Sequence, residues 1–201
     1  MRILAIILAM ISVSGCMPAV FTTAAGTTVA VAKDRTVGST VDDVKISAGI
    51  KKDFVSKGFR DLYTKINVEV VDGRVLYTGT VATDDDIMKA VDIAWAQNGV
   101  TEVVNELAVD EKSNYFDAAQ YARDSWVTSR IKTKTILDRD IKFINYTVIT
   151  FKNVVYIFGI ARSQEELDKV ANIAAEIKGV ERVAVRAKVR ESDAGAGENG
   201  A

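Results

Sequence analysis

The sequence contains no histidine. Imidazole is the only side chain whose unperturbed pKa falls between pH 5 and 8, so a common general base and metal ligand is missing. Most familiar hydrolase, zinc and redox constellations go with it. A single cysteine, Cys16, excludes an internal disulfide and any cluster of thiolates. One proline and 13 glycines argue against a collagenous or proline-rich disordered chain. Charge of one sign is lacking too. The 26 Lys plus Arg stand against 27 Asp plus Glu, so no global positive field drives nonspecific nucleic-acid binding. Any contact with lipid or polyanion must come from a local patch. What remains is 48% hydrophobic and 26% charged over 201 residues, a chain able to bury one or two modest cores.

The amino terminus reads as an address. Arg2 precedes an apolar run from Ile3 to Ile11, far short of the roughly 20 residues a helix needs to span a bilayer. It therefore fits the core of a secretory signal, residues 1–15, that is removed. Val13-Ser14-Gly15-Cys16 resembles a lipobox, which implies that Cys16 becomes the acylated, palmitate-bearing first residue of a bacterial lipoprotein. Several acyl chains together give stable anchoring, with the protein facing the periplasm. Met17 stands where enterobacterial lipoproteins held at the inner membrane carry Asp, so the resemblance implies the outer membrane. Residues 16–40 are expected to be the lipidated cysteine and a flexible linker, and residues 191–201 a disordered tail.

Between these ends the chain repeats itself. At an offset of 80 residues, Val75, Tyr77, Gly79, Thr83, Ile87, Gly99, Val100 and Val103 align with Val155, Ile157, Gly159, Ser163, Leu167, Gly179, Val180 and Val183. Upstream the offset becomes 81, pairing Ile46 and Ile50 with Val127 and Ile131, which calls for a one-residue difference in the loop after the first helix. Two domains follow, at 41–110 and 124–190, joined by a connector at 111–123.

Each repeat has one grammar. Val41, Val44, Ile50 and Phe54, and in the second copy Val127, Ile131 and Leu137, predict a first helix. Two alternating strands flank Asp72-Gly73 in one copy and Lys152-Asn153 in the other, predicting tight hairpins. Thr83 with Asp86, and Ser163 with Glu166, predict capping boxes. The second helix carries the stripe Ile87, Ala90, Val91, Ala94, or Leu167, Val170, Ala171, Ala174, and should stop at Gly99 or Gly179. A Val-rich strand closes the unit. The fold class is thus α+β, two tandem αββαβ domains, each a small mixed β-sheet packed against two helices, with the last strand parallel to the second.

This order, with Gly79 and Gly159 ending the central strands and the Gly99-Val100 and Gly179-Val180 steps, resembles the BON domain family. Lipoproteins with two such units are non-catalytic envelope factors, so the resemblance implies anionic phospholipid binding, support of outer-membrane integrity, no cofactor and no small-molecule substrate.

The residues themselves point to one helix for binding. From Trp126 to Leu137 it holds Arg130, Lys132 and Lys134 and no acid. With Val127 and Ile131 facing the core, Trp126, Arg130, Thr133 and Leu137 share a neighbouring stripe. Indoles favour the membrane interface, and each nearby Lys or Arg gains about 1 kcal/mol at an anionic surface. Asp124-Ser125-Trp126-Val127-Thr128 also resembles the start of the lipid-contacting helix in the family. Trp126, Arg130, Lys134 and Leu137 are the expected lipid-binding residues. The corresponding helix of the first copy has Lys45, Lys51 and Lys52 but also Asp42, Asp43 and Asp53, and its charge reads as diluted.

Trp95, Tyr115, Phe116 and Tyr121 are expected to pack between the domains or against a partner. Asp84-Asp85-Asp86 reads as helix-start capping chemistry rather than a cation site, and no metal site, phosphate loop or nucleophile–base pair stands out. The alternative within binding is a periplasmic adaptor that holds an envelope protein or peptidoglycan through an edge strand or Trp95. An enzyme using paired carboxylates would need two acids in one cleft, and here the acids sit at turns and caps.

Overall fold

The computed structural model describes residues 37–110 and 117–190. Cys16, the signal and spacer sequence through residue 36, Tyr115, Phe116 and the tail 191–201 lie outside the described residues. The first unit comprises α1 (Val37–Ser56), a short α2 (Arg60–Lys65), β1 (Ile66–Val71), β2 (Arg74–Val81), α3 (Asp84–Trp95) and β3 (Glu102–Val109). The second comprises α4 (Ala118–Leu137), a single 3-10 turn (Phe143–Asn145), β4 (Tyr146–Phe151), β5 (Val154–Ala161), α5 (Gln164–Ala175), β6 (Arg182–Val185) and β7 (Lys188–Val189). The loop after the first helix runs over 57–65 in one unit and 138–145 in the other, one residue shorter as the change of offset requires.

Two helices begin earlier than the sequence suggested. α1 starts inside the expected linker, and α4 starts inside the expected connector, where Asp117 caps it by accepting from the Gln120 amide at 2.9 Å. The strands pair as anticipated: β1 antiparallel to β2, β2 parallel to β3, and the same for β4, β5 and β6. Both hairpins turn on two residues with positive φ, Asp72 (56°) and Gly73 (73°), then Lys152 (47°) and Asn153 (64°). That is the turn whose twist matches the flanking strands. Gly79 and Gly159 are fixed by close approach. A Cβ there would lie 2.1 Å from the Lys65 carbonyl oxygen or 2.2 Å from that of Asn145, closer than any side chain permits.

The helices pack on one face of each sheet. In the first unit Ile46, Ile50 and Phe54 of α1 meet Ala90, Ile93 and Ala94 of α3 over Val68, Val75, Tyr77 and Val81. The Tyr77 hydroxyl, whose ionisation burial disfavours, donates to the Ala90 carbonyl at 3.0 Å. In the second unit Val127 and Ile131 of α4 meet Leu167, Val170 and Ala174 of α5 over Val148, Val155 and Ile157. Val41, Val44 and Leu137, which helped to mark the two helices in the sequence, are exposed. The inward stripe runs 46, 50, 54 and 127, 131, 135, so those three point to solvent, and buried Thr135 satisfies its hydroxyl on the Ile131 carbonyl. α3 ends at Trp95 and α5 at Ala175, so Gly99 and Gly179 belong to the following turn rather than to the helix caps.

Only half of each capping box forms. The Thr83 and Ser163 hydroxyls accept from the amides of Asp86 and Glu166, each at 3.2 Å. The Glu166 carboxylate turns elsewhere, accepting from the Lys142 amide at 2.8 Å and from Nε of Arg162 at 2.7 Å.

The faces away from the helices meet each other. Val71 and Leu76 of the first sheet form one buried cluster with Tyr156, Phe158 and Ala184 of the second, giving the layer order helices, sheet, sheet, helices. Buried Arg74 lies with its guanidinium 5.0 Å from the Phe158 ring centre and donates to Glu102 at 2.9 Å and to the Arg186 carbonyl at 2.9 Å. The last strand of the second unit is interrupted there, between β6 and β7. Three acids along and just after β3 meet bases of the other unit: Glu102 with Lys188 (2.5 Å), Glu106 with Arg186 (2.5 Å) and Asp110 with Lys152 (3.5 Å). Arg74 and Lys188 together hold the Glu102 carboxyl at about 2, well below its usual range.

Candidate functional site

The site is built on α4. Its inward face is fixed by Val127 and Ile131 in the core and by buried Asp124. The Asp124 carboxylate accepts from the amides of Lys152 (2.8 Å) and Asn153 (3.0 Å) and from the Gln120 side chain (3.0 Å). It thereby clamps the strained β4–β5 turn to the helix. Asp43 does the same in the first unit, accepting from Asp72 and Gly73 amides at 2.9 Å each. Both acids are therefore structural and contribute nothing negative to the outer surface.

With Asp124 turned inward, the outer face of α4 is basic and apolar. Trp126 is 51% exposed, and the Arg130 guanidinium lies 5.8 Å from its ring centre. A cation over an indole face gains about 0.5–1 kcal/mol at an exposed site and leaves both groups presented together. Leu137 is 76% exposed at the helix end. Beside it Ile136, which sequence reasoning did not single out, is 61% exposed. Lys134 stands at the flank nearest α5, with Glu176 at 3.8 Å, so part of its charge is answered. The acids after the helix are also occupied. Lys169 pairs with Asp138 at 2.9 Å and with Asp140 at 2.7 Å, which pushes the Asp138 carboxyl down. Trp126, Arg130 and Leu137 thus share one outward face, with Lys134 at its margin.

The other expected contacts fall differently. Trp95 is 52% exposed on α3 and takes no part in the cluster between the sheets. Tyr121 is exposed on α4 and is likewise absent from that cluster. The units are fastened instead by Leu76, Tyr156, Phe158 and Arg74. A signal for this was present in β5, whose sequence Val154–Ala161 is almost continuously apolar, the mark of a strand covered on both faces; β2 is buried along its whole length but carries Arg74, Thr78 and Thr80.

Both units match the BON domain, over residues 42–111 and 123–191. The chain belongs to the BON domain family. Several known proteins are similar to it over most of its length. An uncharacterised protein from the gshII 5′ region of Anaplasma centrale is 39% identical over 152 residues, 76% of this chain and 97% of that one. Outer membrane lipoprotein DolP of Haemophilus influenzae is 33% identical over 185 residues, 90% of this chain and 92% of its own. A 21 kDa hemolysin of Actinobacillus pleuropneumoniae is 30% identical over 149 residues, 74% of this chain and 75% of that protein. Among the described residues, no helix of the BON units is long and apolar enough to cross a membrane.

Proposed function

We propose that this is a non-enzymatic, lipid-anchored envelope protein that docks its second BON unit on anionic phospholipid through α4 and supports outer-membrane integrity. The observation that carries the reading is the exposed Trp126 beneath Arg130, on a helix that has no acid from Trp126 to Leu137 and turns Asp124 inward. An indole at headgroup depth with a cation beside it suits an interface whose charge is negative. The lipobox-like Val13-Ser14-Gly15-Cys16 supports acylation at Cys16, and Met17 together with likeness to a protein named outer membrane lipoprotein supports an outer-membrane, periplasmic location. The absence of histidine, and the structural employment of buried Asp43, Asp124 and Glu166, support a binding role over catalysis.

Fatty-acid labelling of the intact protein and of Cys16→Ala, followed by membrane fractionation at high salt, tests the anchor: Cys16→Ala should take up no label and should lose its salt-resistant membrane association. Co-sedimentation of the unacylated Cys16→Ala chain with phosphatidylglycerol vesicles tests the face. Trp126→Glu should lose most binding while keeping the wild-type melting temperature, and unchanged binding refutes the site.

One observation favours a second use of the molecule. Exposed Trp95 and Met88 share a face of α3 with exposed Asp92, a surface unsuited to anionic lipid and suited to an adaptor's protein partner. Loss of such a partner in Trp95→Ala with lipid binding intact would establish it.

A further inference from the structure

α3 presents an outward face that the fold itself does not require. With Ala90, Ile93 and Ala94 in the core, Asp84, Met88, Val91 and Trp95 follow one another at i, i+4, i+7 and i+11 away from it, with Asp92 beside them. Met88 and Trp95 are both more than half exposed. The second copy of the repeat places Asp168, Asn172 and Ala175 of α5 where α3 has Met88, Asp92 and Trp95, 80 positions earlier. That helix packs on its sheet without the apolar pair, so in α3 the methionine and the indole serve the surface. The face is also acidic. Asp85 and Asp86 share Lys89, whereas Asp84 and Asp92 make no ion pair among the described residues.

The outer face of α4 is its complement. Trp126, Arg130, Thr133 and Leu137 repeat the same spacing, and the helix from Trp126 to Leu137 carries Arg130, Lys132 and Lys134 with no acid. Within one molecule the two faces cannot meet, because α3 and α4 lie in opposite outer layers of the stack. A second copy can bring them together. Set antiparallel, Trp95 lies against Trp126, and one turn further along each helix Asp92 lies against Arg130.

We infer that α3 of one molecule docks on α4 of a second copy, through Met88, Asp92 and Trp95 on one side and Trp126, Arg130 and Leu137 on the other. The contact is heterologous, so every pair leaves one α3 and one α4 open and association continues head to tail. A single helix laid on another buries less than the roughly 1,600 Å² of a standard interface. The contact is therefore weak in free solution and favoured where a tether concentrates the molecules. The inference rests on the adaptor reading of α3 given above and names its partner. It also makes α4 a shared face, since a molecule seated on anionic lipid cannot also meet a neighbour's α3.

Sedimentation velocity of the unacylated Cys16→Ala chain at low salt tests this, at concentrations up to about 1 mM, enough to populate a weak contact. The average sedimentation coefficient should keep rising with concentration rather than level off at a dimer. Trp95→Ala and Arg130→Glu break opposite faces, and each should weaken association about tenfold or more with thermal unfolding unchanged. Mixed together, these two variants retain one intact α3 and one intact α4 and should form a dimer and nothing larger. Asp92→Arg combined with Arg130→Glu in one chain reverses the pair and should recover association.

A mixture that stays monomeric, or association that both single variants leave unchanged, overturns the inference. A wild type that stays monomeric overturns it too; the adaptor reading falls with it only if Trp95→Ala keeps every envelope protein that the wild type captures. Phosphatidylglycerol vesicles should disperse the assemblies and phosphatidylcholine vesicles should not. If the mixture pairs but phosphatidylglycerol vesicles neither bind the chain nor disperse it, the phospholipid reading falls and the α3–α4 contact stands.

Discussion

Arg74 joins the two BON units, and replacing it should uncouple them. Its side chain is buried between the sheets, donates to Glu102 at 2.9 and 3.3 Å and to the Arg186 carbonyl at 2.9 Å, and stacks on Phe158. Hydrogen bonds to charged groups contribute about 1.5–3 kcal/mol each, and a desolvated cation–π contact about 1–2 kcal/mol. Against this stands the cost of burying a guanidinium whose Nη1 finds no partner. For Arg74→Met, which keeps the volume, the balance is a loss of about 2–3 kcal/mol, concentrated in the contact between units. Each described unit happens to hold one tryptophan, Trp95 in the first and Trp126 in the second. Urea titrations of Trp126→Phe and Trp95→Phe backgrounds therefore report the units separately. The two transitions should coincide with Arg74 present and separate in Arg74→Met. Coincident transitions with an unmoved midpoint in Arg74→Met would refute the coupling argument.

Glu102 makes the same contact acid-sensitive. Its carboxyl titrates at about 2 in the folded protein rather than at 4.5, so its stabilisation is complete above the usual value and is lost as pH falls from about 4.5 through 2. The full shift would be worth about 3 kcal/mol. The side chain is 35% exposed, and solvent screening reduces this to about 1–2 kcal/mol; Glu102→Gln should flatten that part of the stability–pH curve, as chemical denaturation between pH 5 and 2.5 would read. Asp124→Ala orphans two turn amides and should cost about 2–3 kcal/mol in urea unfolding, with a similar loss for Asp43→Ala. Gly159→Ala forces a Cβ against the Asn145 carbonyl and should lower stability by about 2 kcal/mol or more, seen as a fall in melting temperature.

The repeat made the architecture legible because it states each constraint twice. Alternation, tight-turn residues and a crossover helix fix strand order and parallel pairing without any tertiary information. The helix cores were harder to place, because a valine is equally apolar on either side of a helix. Only the position of the sheet decides that Ile46 goes in and Val44 stays out. The outer face of α4 could be read because it contains no acid at all between Trp126 and Leu137. That of α1 could not, because a count of charges does not reveal that Asp43 spends its carboxylate on two amides of the β1–β2 turn. Trp95 and Tyr121, expected between the domains or against a partner, stand exposed outside the buried cluster between the sheets. Large aromatics suggest burial in general, whereas the almost continuous apolar run of β5 was the specific signal.

Internal duplication also separates what the fold needs from what the surface adds. Asp43 and Asp124 are equivalent and make the same turn contacts; Ile50 and Ile131 are equivalent and equally buried. At the four expected lipid positions the copies share nothing, since Trp126, Arg130, Lys134 and Leu137 stand opposite Lys45, Gly49, Asp53 and Ser56. In the first unit that flank is covered by the Gln97 side chain, whose Oε1 lies over Gly49 and whose amide donates to Asp53. The corresponding residue of the second unit is Ile177, drawn into the core, and Arg130 is free to lie over the indole. A single scaffold thus presents an indole-bearing face in one copy and, at most, a lysine–valine face in the other. Trp126→Glu should therefore remove most vesicle binding, whereas Lys45→Ala at the equivalent position of α1 should leave it close to that of the wild type.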